Sequence, residues 1–214
     1  MLNDFNESEY NIEYYSKLEK YYEDPKELSY KKANIIAGKV KPGQCILDIG
    51  CGSGEFLFKL KNKFINLYGQ DTSSSAIEWA KQKNKDFKNI LFFEGELKNC
   101  KFEDIFFDCC LCLDVLEHVE DPMSVLVEIK RVLKKDGQLI VSMPNWFDII
   151  VSKVLKLNRL HLHAHAPWGW KNMIRKSGFK VCSYRAIDSL LISNDWLARK
   201  LPILGKGIII FAKN

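Results

Sequence analysis

Residues Ile46–Phe56, with the sequence ILDIGCGSGEF, decide the fold of this chain. An apolar run carries Asp48 near its end, and three glycines follow at alternate positions, Gly50, Gly52 and Gly54. The run predicts a buried parallel strand, and the residues after the glycines predict the first turns of a helix. Glycines at such a junction bring bare backbone against a ligand, and the amides that open the helix favour an anionic group on it. The alternative is an ordinary strand–turn–helix corner, where one glycine usually suffices.

The spacing of these glycines separates two classes of nucleotide-binding loop. A dinucleotide fingerprint, which would indicate a dehydrogenase, requires G-x-G-x-x-G, and Glu55 stands where its third glycine belongs. The observed D-x-G-x-G-x-G closely resembles the nucleoside-binding motif of class I S-adenosylmethionine-dependent methyltransferases. The resemblance implies S-adenosyl-L-methionine as the cofactor, with the loop against its methionine end and the methionine carboxylate as the anion. The loop residues that it assigns to the cofactor are Asp48, Gly50, Cys51, Gly52 and Gly54.

The composition predicts one globular domain. The 214 residues are 47% hydrophobic and 28% charged, which suits a sizeable core. No apolar run reaches the roughly 18 residues of a membrane span, and the acidic N-terminus lacks the apolar core of a secretory signal. The seven cysteines lie mostly in apolar runs, as reduced thiols of a cytoplasmic protein do. We expect a single cytoplasmic domain over residues 1–214, with a helical cap at 1–40 and an acceptor-pocket or lid segment at 145–178.

The charge is unevenly distributed along the chain. The net charge is +5, yet residues 151–214 carry 12 lysines and arginines and only two acidic residues. A basic last third suggests an anionic partner, which includes a phosphate, a carboxylate, a lipid surface or nucleic acid. A solvated basic face is the alternative.

Alternating strand and helix patterns predict the architecture. The predicted strands cover residues 45–49, 65–71, 90–93, 106–113, 138–143, 179–187 and 207–211, with helices between most of them. This alternation with short connections predicts an α/β, doubly wound, mostly parallel sheet. The family resemblance implies a Rossmann-like sheet of seven strands with the last strand antiparallel, which agrees with the seven predicted strands.

An acidic residue ends the second predicted strand. Asp71 lies 21 residues after Gly50, about where an acid meets a nucleoside ribose. Its two carboxylate oxygens suit the two ribose hydroxyls. The alternative is a cap on the next helix, for which Thr72 and the serines after it also qualify. We assign Asp71 and Thr72 to the cofactor site.

Two further landmarks follow the third and fourth predicted strands. The resemblance implies that Glu96, where aspartate is more usual, takes the adenine amino group and that the Leu97 amide meets a ring nitrogen. It also assigns Asp114 to the cofactor. The run Asp114–Val119, followed by Asp-Pro, resembles a branch that includes ubiquinone-biosynthesis O-methyltransferases and many small-molecule methyltransferases.

The absence of two motifs narrows the chemical class of the methyl acceptor. The Asn/Asp-Pro-Pro-Tyr motif of methyltransferases that act on nucleobase amines is absent after the fourth predicted strand, and so is the cysteine of enzymes that methylate pyrimidine C5. We therefore expect methyl transfer to a small-molecule or lipid-like acceptor, preferentially at oxygen, and disfavour nucleic acid. RNA- or protein-directed methyl transfer, or a cofactor-binding module without turnover, are the alternatives.

A hydroxyl acceptor must lose its proton to a general base. The four histidines of the chain are the candidates for this base. His118 follows the fourth predicted strand, and His161, His163 and His165 alternate where the resembled family builds its acceptor pocket. We take His118 and His165 as candidate bases. Three alternating histidines also suit a metal, but members of the resembled family show a histidine before Thr/Ser-Pro at this point, where Ala166-Pro167 stands here, so we expect no metal. A structural role is the remaining alternative.

The segment 149–157 is more apolar than a surface helix with one buried face requires. Its lysines, Lys153 and Lys156, suit an acceptor with a greasy tail and an anionic head, or peripheral docking on an anionic membrane. The alternative, which we favour, is a lid over the cofactor pocket.

Overall fold

The computed structural model describes residues 28–41, 44–62, 66–145, 163, 165–189 and 205–214. The chain divides into two compact units, 1–101 and 102–214. The predictions for residues 149–157, for His161 and for most of the N-terminal cap lie outside the described residues. The division into cap, core and acceptor segment therefore stays a prediction.

The first unit contains three parallel strands. Its elements are α1 (Leu28–Ala37), β1 (Cys45–Ile49), α2 (Glu55–Leu60), β2 (Asn66–Asp71), α3 (Ser74–Lys83) and β3 (Ile90–Glu94). β2 pairs in parallel with β1 on one side and with β3 on the other. Ile49 pairs with Gln70, and Asp71 pairs with Glu94. The carboxyl ends of the three strands therefore lie at one edge, where ligands of doubly wound sheets bind.

Burial explains the apolar pattern of this unit. In β1, the four residues after Cys45 are all buried, as expected for a parallel strand that is covered on both faces. α3 buries Ala76, Ile77 and Ala80, and it begins at Ser73, whose hydroxyl accepts a hydrogen bond from the Ala76 amide at 3.3 Å. The helix start thus has its own side-chain cap.

The second unit combines parallel and antiparallel strands. Its elements are β4 (Phe107–Leu113), α4 (Pro122–Val132), β5 (Leu133–Pro144), α5 (Pro167–Lys176), β6 (Lys180–Ser189) and β7 (Gly205–Lys213). β4 and β5 are parallel, whereas β7 is antiparallel to both β5 and β6. β5 begins five residues before the predicted residue 138, because Leu133 pairs with Phe107 across a register shift. The other strand bounds lie within two residues of those predicted.

Together the strands form a seven-stranded, mostly parallel sheet with β7 antiparallel, flanked by helices. The predicted fold class is thus confirmed. Among the described residues, no helix combines the length and the apolar character that crossing a membrane requires.

Candidate functional site

The glycine loop between β1 and α2 is curled by three left-handed residues. Gly50, Gly52 and Gly54 have φ angles of +68°, +52° and +79°, which glycine adopts without steric cost. The curl points the amides of Gly50 and Cys51 at the carbonyl of Gln70, at 2.7 and 2.9 Å, and the Gly54 amide at the Cys51 carbonyl at 2.9 Å. These amides are therefore used inside the protein. The amides of the first turn of α2 have no acceptor within the helix, so the anion expectation applies to them.

The glycines of the loop are needed for different reasons. A Cβ atom on Gly54 would lie 2.7 Å from Cζ of Phe92, so this glycine allows β3 to pack against the loop. A Cβ on Gly52 would meet no atom within 4 Å, so open space lies against this stretch of backbone. Gly69 on β2, which the sequence reasoning missed, also packs on Phe92 and on the Cys51 sulfur. Gly52 thus leaves room for a ligand beside the loop.

Asp71 ties the loop to the start of α3. One carboxylate oxygen, Oδ2, accepts a hydrogen bond from the Gly52 amide at 2.7 Å, and Oδ1 accepts one from the Ser73 amide at 2.9 Å. Each carboxylate oxygen can accept a second hydrogen bond, so both retain capacity for a ribose hydroxyl. The capping alternative and the ribose assignment are therefore compatible. Thr72 lies between these two contacts and is exposed.

Asp48 is a buried acid in this loop region. It is 3% exposed, and burial, followed by the negative charge of Asp71, raises the pKa of Asp48 to about 8. Burial also raises the pKa of the Cys51 thiol, with Asp48 and Asp71 adding to it. At neutral pH Asp48 therefore holds its proton most of the time. A cation placed beside Asp48 would favour the ionised form and release that proton.

A buried glutamine positions the segment after β3. Gln70 is 3% exposed, and its side-chain amide donates to the carbonyl of Gly95. The Gly95 amide donates to the Asp71 carbonyl at 2.9 Å, and Gly95 has a φ of +117°. The sequence reasoning missed Gln70. A polar residue near the end of an otherwise buried strand is the signal that could have revealed it.

Glu96 and Leu97 follow this anchor. Glu96 precedes a single 3-10 turn, Leu97–Asn99, and Leu97 is buried. The Glu96 carboxylate is 58% exposed and pairs with Lys98 Nζ at 2.7 Å. Such an exposed pair contributes little to stability, so the carboxylate can exchange Lys98 for another donor. The structure brings the loop, Asp71 and the anchored segment of Glu96 together at the carboxyl edge of the first unit.

In the second unit, Asp114 follows β4 in a left-handed conformation. Its φ is +57°, which is uncommon for a residue with a side chain but best tolerated by Asp and Asn. Its amide donates to the Ser142 carbonyl at 2.8 Å, and its carboxylate accepts from the Ser142 hydroxyl at 3.2 Å. β5 therefore holds Asp114 in place. No sequence signal distinguished this conformation.

His118 lies on the loop between β4 and α4. Its side chain is 39% exposed, and its Nε2 lies 3.9 Å from Oε1 of the buried Glu117. The backbone amide of His118 donates to the Val115 carbonyl at 2.9 Å, which closes a tight turn. His118 is therefore accessible to solvent beside a buried carboxylate.

His165 lies just before α5 and is half-buried. Its ring stacks on that of His163 at a centroid distance of 5.9 Å and meets the Trp170 ring edge-on at 4.9 Å. Burial lowers the pKa of His165 and the charge of His163 lowers it further, so the neutral form is favoured. In the described part of the chain, no three metal-ligating side chains lie together. The local chemistry of His165 is that of a neutral base.

Comparison with known proteins finds similarity to methyltransferases. A model of the methyltransferase domain family matches residues 47–141. The demethylmenaquinone methyltransferase of Staphylococcus saprophyticus is 31% identical over 52% of this chain and 49% of its own length. The ubiquinone biosynthesis O-methyltransferase of Glaesserella parasuis is 31% identical over 57% of this chain and 53% of its own. This chain thus spans about half the length of these two relatives.

The fold has solved counterparts. The crystal structure of a SAM-dependent methyltransferase from Aquifex aeolicus superposes with a TM-score of 0.69 at 18% identity, over 98% of this chain and 99% of that one. At 18% identity, the structural similarity shows only a shared fold. The match to the family model indicates the type of domain. Residues 47–141 are therefore similar to methyltransferase domains in sequence, and the chain is similar to a SAM-dependent methyltransferase in fold.

Proposed function

We propose that this protein transfers a methyl group from S-adenosyl-L-methionine to a hydroxyl oxygen of a small-molecule or lipid-like acceptor. The observation that carries the proposal is the pairing of Gly52 with Asp71. The backbone of Gly52 has open space beside it, and the Asp71 carboxylate beside the same loop retains acceptor capacity. This combination suits a nucleoside whose ribose needs an acid and whose remainder must lie against bare backbone.

The first unit supplies most of the residues that would hold the cofactor. Asp71 would accept from the ribose hydroxyls, and Glu96, with the Leu97 amide, would meet the adenine. The glycine loop would lie against the methionine end, where Asp48 would ionise in the presence of the cofactor's positive charge. Bound there, the cofactor supplies an electrophilic methyl group. Transfer by displacement needs chiefly alignment of the acceptor, which accounts for most of such a rate. Further contacts that we assign to the cofactor involve Gly50, Cys51, Gly54, Thr72 and Asp114.

The second unit supplies the proposed base. The acceptor oxygen forms a bond to the methyl carbon as the bond from carbon to sulfur breaks, and the hydroxyl proton must leave. We propose that His165 accepts this proton as the base, because burial favours the neutral form of its ring. His118 is the second candidate, since it is accessible and lies 3.9 Å from the Glu117 carboxylate. Substitution of each histidine by Gln, with turnover measured against pH, distinguishes them.

The acceptor class rests on charge and on relatives. Two relatives are named as methyltransferases of demethylmenaquinone and of ubiquinone biosynthesis. The basic residues 151–214 add affinity for an anionic group, and the apolar run 149–157 suits a hydrocarbon tail. An acceptor with a hydroxylated head, an anionic group and an apolar tail satisfies these features.

A methyl-transfer screen tests the proposal. The protein is incubated with S-adenosyl-L-methionine that carries a labelled methyl group and with catechols, carboxylates, phosphosugars or polyprenyl compounds, and products are identified by mass spectrometry. We expect labelled ethers from hydroxylated acceptors. Label on nitrogen or carbon would overturn the assignment to oxygen. Label transferred only to RNA or protein would replace the small-molecule acceptor.

The basic residues 151–214 support a second candidate function, which is RNA binding. RNA affinity that depends on phosphate contacts falls steeply as salt rises. We expect no such binding. A steep salt dependence of binding to a single-stranded RNA would favour the second candidate.

A further inference from the structure

Residue His163 is fastened to the loop between β4 and α4 at three points. Its amide donates to the Glu117 carbonyl at 3.1 Å, and its ring nitrogen Nε2 lies 3.0 Å from the Val119 carbonyl oxygen and 3.3 Å from that of Glu120. A carbonyl oxygen only accepts hydrogen bonds, so Nε2 must carry a proton. In the neutral ring the proton-free nitrogen is then Nδ1. The three contacts fix both the place and the tautomer of His163.

His165 lies between this fastened ring and the first turn of α5. The planes of the two imidazoles are inclined by only 12°. On the helix side, a Cβ on Gly169 would lie 3.2 Å from Cβ of His165 and 3.6 Å from its Cγ. Glycine costs about 1 kcal/mol relative to alanine inside a helix. A side chain at position 169 would contact the Cβ of His165 tightly and its ring at ordinary distance.

We infer that His163 is a positioning residue for His165: it holds the His165 imidazole against the first turn of α5 and disfavours a second positive charge there. The inference rests on the proposed function for the role of His165 as a base, but the arrangement itself lies wholly within the second unit. His163 does not act on the acceptor in this account. It acts through the orientation and the charge state of its neighbour.

Electrostatics support this arrangement. A proton on the His163 ring opposes a proton on the neighbouring His165 ring, because like charges repel at short distance. The charged and titratable groups on the packed elements include Glu117, His118 and Glu120 on the loop and Lys171 on α5, whose Nζ lies 4.4 Å from the Tyr184 ring centroid. Burial comes first among the causes that lower the pKa of His165, and His163 comes second. Loss of the His163 ring would reduce both effects.

Two substitutions separate orientation from charge. His163→Leu removes the ring charge and the Nε2 donor, whereas His163→Gln removes the charge but keeps an N–H donor where Nε2 lies. The measurement is the NMR titration of the histidine rings, which are only four in the chain and are assigned by single substitutions. This measurement needs neither cofactor nor acceptor.

We expect the pKa of His165 to rise in the order wild type, His163→Gln, His163→Leu. Gly169→Ala should also move the His165 ring and change its chemical shifts. An unchanged His165 titration in folded His163→Leu would overturn the inference, and so would a glutamine variant that behaves like the leucine variant.

Cofactor binding provides the independent check. S-adenosyl-L-methionine affinity is measured by calorimetry for wild type and both variants, and we expect it to agree within about twofold, because the cofactor residues that define the loop belong to the first unit. If the wild type did not bind S-adenosyl-L-methionine, the proposed function would be wrong. The NMR titration would still test the inference about the two histidines. Normal binding with an unshifted titration would remove the inference alone.

Discussion

The carboxylate of Asp71 shapes the glycine loop and is also proposed to bind the ribose. Its oxygens accept from the amides of Gly52 and Ser73, so it shapes the loop that the cofactor is proposed to contact. The ribose role of this acid was predicted from its position in the sequence. The sequence did not predict the bond to Gly52, because a contact across 19 residues depends on how β1 and β2 align.

Substitution of Asp71 tests the ribose assignment. Asp71→Ala should weaken S-adenosyl-L-methionine binding by about 2–4 kcal/mol, since two hydrogen bonds to a charged acceptor are lost. This corresponds to about 30- to 900-fold in Kd by calorimetry. Asp86→Ala, an exposed acid at the end of α3, is the matched control and should bind normally. A folded Asp71→Ala protein with wild-type affinity would contradict the assignment.

Asp48 makes stability depend on pH in a defined direction. Because its pKa is raised from 3.8 to about 8, the folded state holds the proton more tightly than the unfolded state. Its contribution is fully present below pH 3.8 and is lost as pH rises through about 8. Each unit of pKa difference corresponds to about 1.4 kcal/mol. Urea unfolding at pH 5, 7 and 9 should show a decline that Asp48→Asn reduces. Equal slopes for both proteins would count against this role.

At the scale of elements, the alternation of strands and helices was predictable from the sequence. β1 was predicted with its observed bounds, because both of its faces are buried and its pattern is continuous. The start of β5 was not predictable, because Lys134, Lys135 and Asp136 are polar. Lys134 joins the sheet through an ion pair with Asp108 of β4 at 2.8 Å, and this partner is distant in sequence.

Packing between the glycine loop and β3 predicts different effects for substitutions of Gly54 and Gly52. Gly54→Ala should lower the free energy of unfolding by about 2–5 kcal/mol, because left-handed strain adds to overlap with Phe92. Gly52→Ala should cost only about 1–2 kcal/mol, since its Cβ meets no protein atom, yet it should weaken cofactor binding. Urea unfolding and calorimetry measure the two effects.

A second-site change checks the packing explanation. Phe92→Leu should recover part of the stability lost in Gly54→Ala and none of that lost in Gly52→Ala. If the two glycine variants lose equal stability and equal affinity, the distinction between packing and open space is wrong.

At the scale of the whole molecule, the sequence predicted the fold class because patterning and the glycine motif agree. It did not reveal the links that order the candidate site. Gln70 to Gly95 and the left-handed Asp114 beside Ser142 depend on contacts between strands that are distant along the chain. Local patterns contain no information about them.

The basic last third gives a prediction about membranes. If the apolar segment 149–157 docks on a membrane, vesicle co-sedimentation should rise with anionic lipid and be abolished by Lys153→Glu with Lys156→Glu. We favour the lid role and expect no binding even at low salt, where electrostatic attraction is strongest. Lys81→Glu with Lys85→Glu, exposed lysines of the first unit, is the matched control. Binding that only the first pair abolishes would contradict the lid.

The curled glycine loop and Asp71 are proposed to bind S-adenosyl-L-methionine rather than a dinucleotide, and ligand preference distinguishes the two cofactors. Isothermal titration of the purified protein with S-adenosyl-L-methionine, S-adenosylhomocysteine and NADH is the measurement. We expect saturable binding of the first two ligands, weakened by Asp71→Ala, and no binding of NADH. Binding of NADH in preference, or no binding of S-adenosyl-L-methionine by the folded protein, would contradict the proposal.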